Sequence, residues 1–381
     1  MFQNKAVIMG TRKEIAERAG VSVSVVSRAL NNSGYVSAEK RERILKIAQE
    51  LDYHPNPVAM SLMSRRTRQI LFMCKDLRNA FNIELYEGMI EAAHKQNYMI
   101  VLSGDMDLSR LPSLLVDGVI FPNEGIASLY LEGEGKRYFL PAVTADYGGQ
   151  RAFPRAIPRV TCDLWKASEQ MADYFHNLGH RKIAFICPYG MDNTDPRVKV
   201  WADLAAQSLK KDRDRYYIGV SRQCLPDDKR VLQFEEEQGD VELFAFYPEH
   251  YFEKGSLAAD IFMERGLDAT AVFCFNDEMA MGFCKRIRQL GLRVPGDLSV
   301  AGVDGAYNRR YLDEDLTTIH LNAALQGRRC VEVLLNVIEG RKFKYVTNIP
   351  VTLRKGATVR NISRAGRLKK KASGPNGGRT G

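Results

Sequence analysis

Between Thr11 and Leu51, apolar residues recur at helical spacing in three short runs separated by polar or glycine-bearing breaks. Ile15, Ala16 and Ala19 share one face behind Thr11, which forms a capping-box signature with Glu14, and Gly20 stops the run. Ser22 is the next cap; Val26, Ala29 and Leu30 then turn inward while Ser24, Ser27 and Arg28 stay outward. Asn31-Asn32-Ser33-Gly34 breaks this helix, and a third runs from a Ser37 cap through Ile44, Leu45, Ala48 and Leu51 to His54-Pro55. From Gln69 onward the pattern changes. Strands are predicted at Ile70–Met73, Met99–Leu102, Gly118–Phe121, Ile183–Ile186, Ala271–Phe275 and Leu298–Val303. Helices are predicted at Ile83–Lys95, Trp165–Leu178, Arg197–Lys210, Asp277–Leu290 and Ala324–Glu339. This alternation implies α/β architecture, with parallel sheets covered on both faces and a ligand site at the carboxyl ends of the strands. Its length fits two lobes.

Two short helices joined by a glycine-bearing turn are the unit that sets a recognition helix into a DNA major groove, although a generic three-helix packing unit has the same periodicity. Charge adds a second indication. The 381 residues carry a formal +9, but residues 1–69 hold +6 and residues 364–381 another +6, so the body between them is mildly acidic. Basic ends on an acidic body fit a polyanionic partner, and also plain solubilising surface charge. The seven cysteines occur singly, four of them within or beside apolar runs, which reads as reduced thiols rather than a disulfide or zinc framework. The six histidines are scattered. No nucleophile elbow, phosphate-binding glycine loop or metal-ligand cluster stands out, so neither an enzyme nor a cofactor is expected. No membrane-length apolar run and no signal-peptide segment is evident, so a cytoplasmic protein is expected.

The residues of the first segment are more telling than their periodicity. Thr11-x-Lys13-Glu14-Ile15-Ala16-x-x-Ala19-Gly20-Val21-Ser22-x-x-x-Val26-Ser27-Arg28-x-Leu30-Asn31, then Gly34-Tyr35-Val36-Ser37, resembles the DNA-binding head of the lactose-repressor (LacI/GalR) family. Leu51-x-Tyr53-x-Pro55-Asn56-x-x-Ala59-x-x-Leu62 resembles the family's helix exit and hinge. The resemblance implies a homodimer on double-stranded operator DNA. It presents Val23, Ser24 and Arg28 to base edges and Ser22, Val25, Ser27 and Asn31 to the adjoining backbone. Arg28 is the strongest reader, because a guanidinium makes a bidentate contact to guanine; the alternative is a solvated helix residue. Asn56 to Leu62 would be a hinge that becomes helical when two copies pair on DNA, with Leu62 wedged into the minor groove or, alternatively, packed on the body. Pro57 and Met60 depart from the usual hinge residues. Arg65, Arg66 and Arg68 follow as a basic linker suited to phosphates.

Leu178-Gly179-His180-Arg181-Lys182-Ile183, Phe273-Cys274-Phe275-Asn276-Asp277 and the run from Leu290 to Asp304 resemble the same family's body, which is periplasmic-binding-protein-like. The resemblance implies a small-molecule effector between two lobes, with chain crossings near Asp163, Leu290 and Leu321. The effector residues it implies are Asp304 as a hydrogen-bond acceptor, Arg197 as a clamp, Asn276 and Asp163 as further polar contacts, and Phe273 as an apolar wall. Each also has a structural alternative as a salt bridge, cap or strand end. The stretch from Ser103 to Val116 is shorter than the family pattern, and Leu209 to Asp240 carries a charged insertion. Expected domains are an extension at 1–10, a helix-turn-helix at 11–55, hinge and linker at 56–68, a two-lobed body at 69–363 and a basic tail at 364–381. Met9 looks like the natural start of the head, and the tail reads as disordered and solubilising. A solute-binding module is the rival reading, opposed by the head and the missing export signal.

Overall fold

The computed structural model describes residues 11–53, 66–148, 153–236 and 250–363. Two compact units meet at Thr67 and Arg68 and are taken in turn. In the first, α1 (Arg12–Ala19) opens on a complete capping box between Thr11 and Glu14 and ends at Gly20, whose left-handed φ of 64° lets the chain turn at once. The second and third helices, α2 (Val23–Leu30) and α3 (Ala38–Glu50), follow Ser22 and Ser37 as cap residues, though neither serine side chain accepts from a backbone N–H of its helix. Ile15, Ala16, Ala19, Val26, Ala29, Ile44 and Ala48 form the buried core of this unit. Arg12 Nε donates to the Tyr53 hydroxyl at 2.8 Å and so ties the start of α1 to the end of the described segment.

In the second unit, runs apolar on both faces form parallel strands with helices between them. Lobe 1 begins with β1 (Gln69–Met73), α4 (Ala80–His94), β2 (Met99–Ser103), β3 (Gly118–Phe121), α5 (Glu124–Glu132), β4 (Ala142–Asp146) and β5 (Arg159–Cys162). Lobe 2 contains α6 (Leu164–Asn177), β6 (Ile183–Cys187), α7 (Pro196–Ser208), β7 (Tyr217–Gly219), α8 (Lys229–Glu236), α9 (Tyr251–Glu264), β8 (Ala271–Cys274), α10 (Asp277–Gln289), β9 (Ser299–Asp304) and β10 (Thr317–His320). The chain then returns to lobe 1 for α11 (Ala323–Ile338) and β11 (Val346–Ile349), and ends in lobe 2 with β12 (Thr352–Arg354). The sheet orders are β11-β5-β4-β3-β1-β2, all parallel, and β12-β10-β9-β8-β6-β7, parallel except for the β10–β12 pair.

The crossings therefore fall after Cys162, after His320 and at Pro350. The expected crossing at Leu290 does not exist: α10 and β9, on either side of it, both belong to lobe 2, and Gly291 at φ 92° merely turns the chain back to the same sheet. The crossings are tied together. Cys162 Sγ lies 3.1 Å from the Leu321 carbonyl, and buried Gln326 Nε2 donates to the carbonyls of Asp146 and Val160 at 2.9 and 2.8 Å. The short Ser103–Val116 stretch holds a 3₁₀ turn at Leu108–Ser113 in place of a helix. The segment read as an insertion opens on a 3₁₀ stretch at Lys210–Tyr216 and then holds a real strand, since β7 is the edge of the second sheet. All seven cysteines are free, six of them buried.

Each lobe closes a helix pair on two glycines. A Cβ on Gly88 of α4 would strike the Ala324 carbonyl and one on Gly327 of α11 the Leu85 carbonyl; in lobe 2, Gly255 faces Met279 and Gly282 faces Phe252 in the same way. These are helix backbone atoms, which cannot step aside as a flexible side chain can. Gly327→Ala and Gly282→Ala are each expected to destabilise the body by about 1–3 kcal/mol or more through overpacking, read as a lowered denaturation midpoint. An unchanged midpoint for both would refute the close crossing.

Candidate functional site

On the helical unit, the second helix presents the polar face that the sequence assigned to DNA. Ser22, Val23, Ser24, Arg28 and Asn31 are exposed and Val25 and Ser27 half-buried, while Val26 and Ala29 hold the helix to its core. The Ser22 and Ser24 hydroxyls lie 2.8 Å apart, and Asn31 Nδ2 donates to Ser27 Oγ at 3.4 Å. Arg28 Nε makes a long 3.4 Å bond to the Ser24 carbonyl, and its stem lies against Gly34, where a Cβ would come within 3.1 Å of Arg28 Cδ. The left-handed Gly34 thus lets the following loop run along the arginine stem. The hinge residues Asn56 and Leu62 lie outside the described residues, as do the N-terminal extension and the basic tail.

The body holds a cavity of about 690 Å³ at the carboxyl ends of both sheets. Its lining residues follow the strands directly: Cys74 after β1, Pro122 after β3, Tyr147 after β4, Tyr189 after β6, Phe275 after β8, and Asp304 at the end of β9. Four helices also begin at it. Their N-cap residues Asn79, Asn123, Asp195 and Asn276 line the cavity, and each accepts a bond from an N–H of its own first turn.

Arg197 and Asp195 form one structure. Asp195 Oδ1 accepts from the Arg197 backbone N–H at 2.9 Å, and the two carboxylate oxygens take Arg197 Nε and Nη2 at 2.9 and 2.8 Å. Nη1 donates to the Phe275 carbonyl at 2.9 Å, and the guanidinium lies 3.4 Å from the centroid of the Phe275 ring. Burial works against both charges, and their attraction outweighs it: the Asp195 carboxyl sits below its ordinary range and the Arg197 guanidinium above. One turn later Trp201 anchors the helix, donating Nε1 to the Ile183 carbonyl at 3.0 Å and stacking on Phe185. Pro196 at the first helical position and the Asp195 cap start the helix where this fork can close.

Asp304 has a φ of 129°, a left-handed conformation that costs an L-residue energy and is held by its surroundings. Its carbonyl accepts from Leu321 N. The following Gly305 N–H donates to Asp277 Oδ2 at 2.8 Å, and the Thr318 hydroxyl to Asp277 Oδ1 at 2.6 Å. Burial, together with the charge of Asp277, holds the Asp304 carboxyl well above its usual range, with Arg197 pulling the other way. Burial also raises Asp277, to about 7, against the bonds from Thr318 and the Gly305 backbone.

Asp304, Arg197 and Asn276 thus meet at one cavity, although Asn276 spends its Oδ1 on the Met279 N–H at 2.9 Å. The other two proposed contacts are not among the lining residues. Phe273 is buried in the core against Phe175 and Phe185, because a strand covered on both faces reaches the cavity only past its end. The ring at the wall is Phe275, with Tyr189 and Tyr251 packed on it. Asp163 caps α6 at the first crossing, accepting from Lys166 N at 3.0 Å. Asp195 was missed, although Asp-Pro before a helical run is a readable start signal.

Residues 11–56 match the family model described as bacterial regulatory proteins, lacI family, and residues 172–359 match the periplasmic binding protein-like domain. The chain belongs to the lacI family. Among the relatives of this lacI-family chain is the HTH-type transcriptional repressor PurR of Vibrio vulnificus, 28% identical over 342 residues that cover 88% of this chain and 93% of the relative. PurR of Aliivibrio fischeri is 29% identical over 349 residues, with 87% and 93% covered. Of solved structures, the lac repressor dimer bound to operator and the anti-inducer ONPF aligns with a TM-score of 0.66 at 23% identity, over 92% of this chain and 99% of that one. The complex of the transcriptional regulator CelR with cellobiose aligns at 0.58 and 21%, over 92% and 99%. At these identities the structural likeness speaks to the fold. No helix among the described residues is long and apolar enough to cross a membrane, and no group of His, Cys, Asp or Glu among them could hold a metal.

Proposed function

We propose that this lacI-family regulator represses transcription by binding a palindromic operator as a homodimer, and that a small hydroxyl-rich effector between the lobes sets its affinity for DNA. On this reading it is not an enzyme and works in the cytoplasm, where its DNA partner lies. The observation that carries the reading is the convergence of Asp304, strained and half-buried, and Arg197 on one cavity at the carboxyl ends of both sheets, in a chain that also bears an exposed recognition-type helix. An effector that contacts residues of both lobes stabilises their closed arrangement and couples the cavity to DNA. The relatives named as repressors and the neighbour holding cellobiose support the same direction. Seven of the nine DNA-contact residues proposed lie on or beside α2; Asn56 and Leu62 complete the set.

The test separates the two activities. Asp304→Ala is expected to leave DNA binding intact while abolishing its response to an effector found by thermal-shift screening of sugars, sugar phosphates and nucleosides. If DNA release by that effector survives the substitution, the sensor lies elsewhere.

A further inference from the structure

The charges around the cavity discriminate between kinds of effector, an argument that rests on the cavity being the effector site. Five charged residues line it: Lys75, Asp76, Asp195, Arg197 and Asp304. Lys75 is exposed, and water screens it. Arg197, the buried cation, is already forked on Asp195 and bonded to the Phe275 carbonyl. Asp195 also takes a first-turn N–H of α7, the position where a bound anion would sit. The chain has therefore filled its own anion site. The other helix N-termini at the cavity are likewise closed by the side chains of Asn79, Asn123 and Asn276.

Asp304 is the opposite case. No hydrogen bond reaches its carboxylate from the described residues. Asp277 and Glu278 of α10 and Glu84 of α4 act on it as like charges, and Arg197 is the cation that opposes them. Arg309 acts on Asp277 and Arg354 on Glu84, compensating those two in part. A carboxylate in low dielectric surrounded by its own kind gains most from a ligand that brings a positive charge. The tyrosines at positions 189 and 251 add aromatic faces that tolerate a cation.

We propose that the cleft selects an amine-bearing polyol, an amino sugar or a small amino alcohol, whose ammonium group sits on Asp304, and that it rejects phosphorylated and carboxylated counterparts. Selectivity then comes from two aspartates with opposite roles: Asp304 attracts the ammonium, and Asp195 denies Arg197 to anions.

Matched probes on the full-length protein test this by calorimetry and thermal shift: D-glucosamine and ethanolamine, their hydroxyl analogues D-glucose and ethylene glycol, and D-glucose 6-phosphate, each up to tens of millimolar. An amine is expected to bind at least about tenfold more tightly than its hydroxyl analogue, the factor that one net ion-pair contribution gives. Asp304→Asn should erase that preference. Asp195→Asn should free the Arg197 fork and admit glucose 6-phosphate, a gain that misfolding cannot mimic. Tighter binding of the sugar or the phosphate to the wild type, or no response to either amine, overturns the amine preference. The first of these outcomes, if sensitive to Asp304→Asn, leaves the cleft standing as the effector site. Amine binding insensitive to Asp304→Asn also overturns the proposal, and counts against the cleft itself.

Discussion

Arg28→Ala is expected to collapse the discrimination between operator and random DNA while leaving the protein folded. The residue is exposed on α2, its stem lies along Gly34, and its one side-chain bond among the described residues is a long one to the Ser24 carbonyl, so removing it disturbs little of the core. A bidentate contact from a guanidinium to guanine is worth about 1–3 kcal/mol of discrimination, or roughly five- to more than a hundredfold. Binding to random duplex, which depends on phosphate contacts, should change far less. The measurement is fluorescence anisotropy against a site obtained by in vitro selection and a scrambled duplex of equal length, at one salt concentration. A specificity ratio equal to wild type would show that α2 does not present Arg28 to bases.

Arg197→Ala carries the second large effect, and it falls on stability as well as response. Removing the guanidinium leaves Asp195 as a largely buried charge whose fork has lost its partner, and such losses cost up to about 3–5 kcal/mol. The double variant Asp195→Asn with Arg197→Ala should recover much of that cost, because the stranded charge is gone. Chemical denaturation of the single and double variants gives the coupling directly. Equal midpoints for Arg197→Ala and the double variant would mean that the pair is not a unit.

How much of this was legible in the chain depends on the scale of the feature. The three helices of the first unit announce themselves through Thr11, Glu14, Gly20 and helical spacing, and the strands and helices predicted for the body appear within a few residues of their predicted ends, whereas α5 and α9 are not among the predicted helices. Short strands such as β7, β11 and β12 do not, because three or four residues cannot establish a period and their pairing partners lie far away in sequence. The same limit explains the misplaced crossing. Sheet membership is decided by which strand β9 pairs with, and nothing in Leu290-Gly291 records that it remains beside β8. Among the cavity-lining residues, Asp304 and Arg197 are legible in the sequence because each terminates or opens an element. Phe273 and Phe275 look alike in the sequence, and only the end of β8 at Cys274 separates the core ring from the one at the cavity.

The crossings after Cys162 and after His320 lie within one Sγ–carbonyl contact of each other, and the lobes on either side are each stiffened by helices locked through glycine. Lobes joined at these two crossings and at Pro350 are expected to move about them as levers. Displacement grows with distance from the pivot, so an effector that draws the cavity walls together slightly moves the far ends of the lobes most. The surfaces that report the ligand are therefore the ones that never touch it.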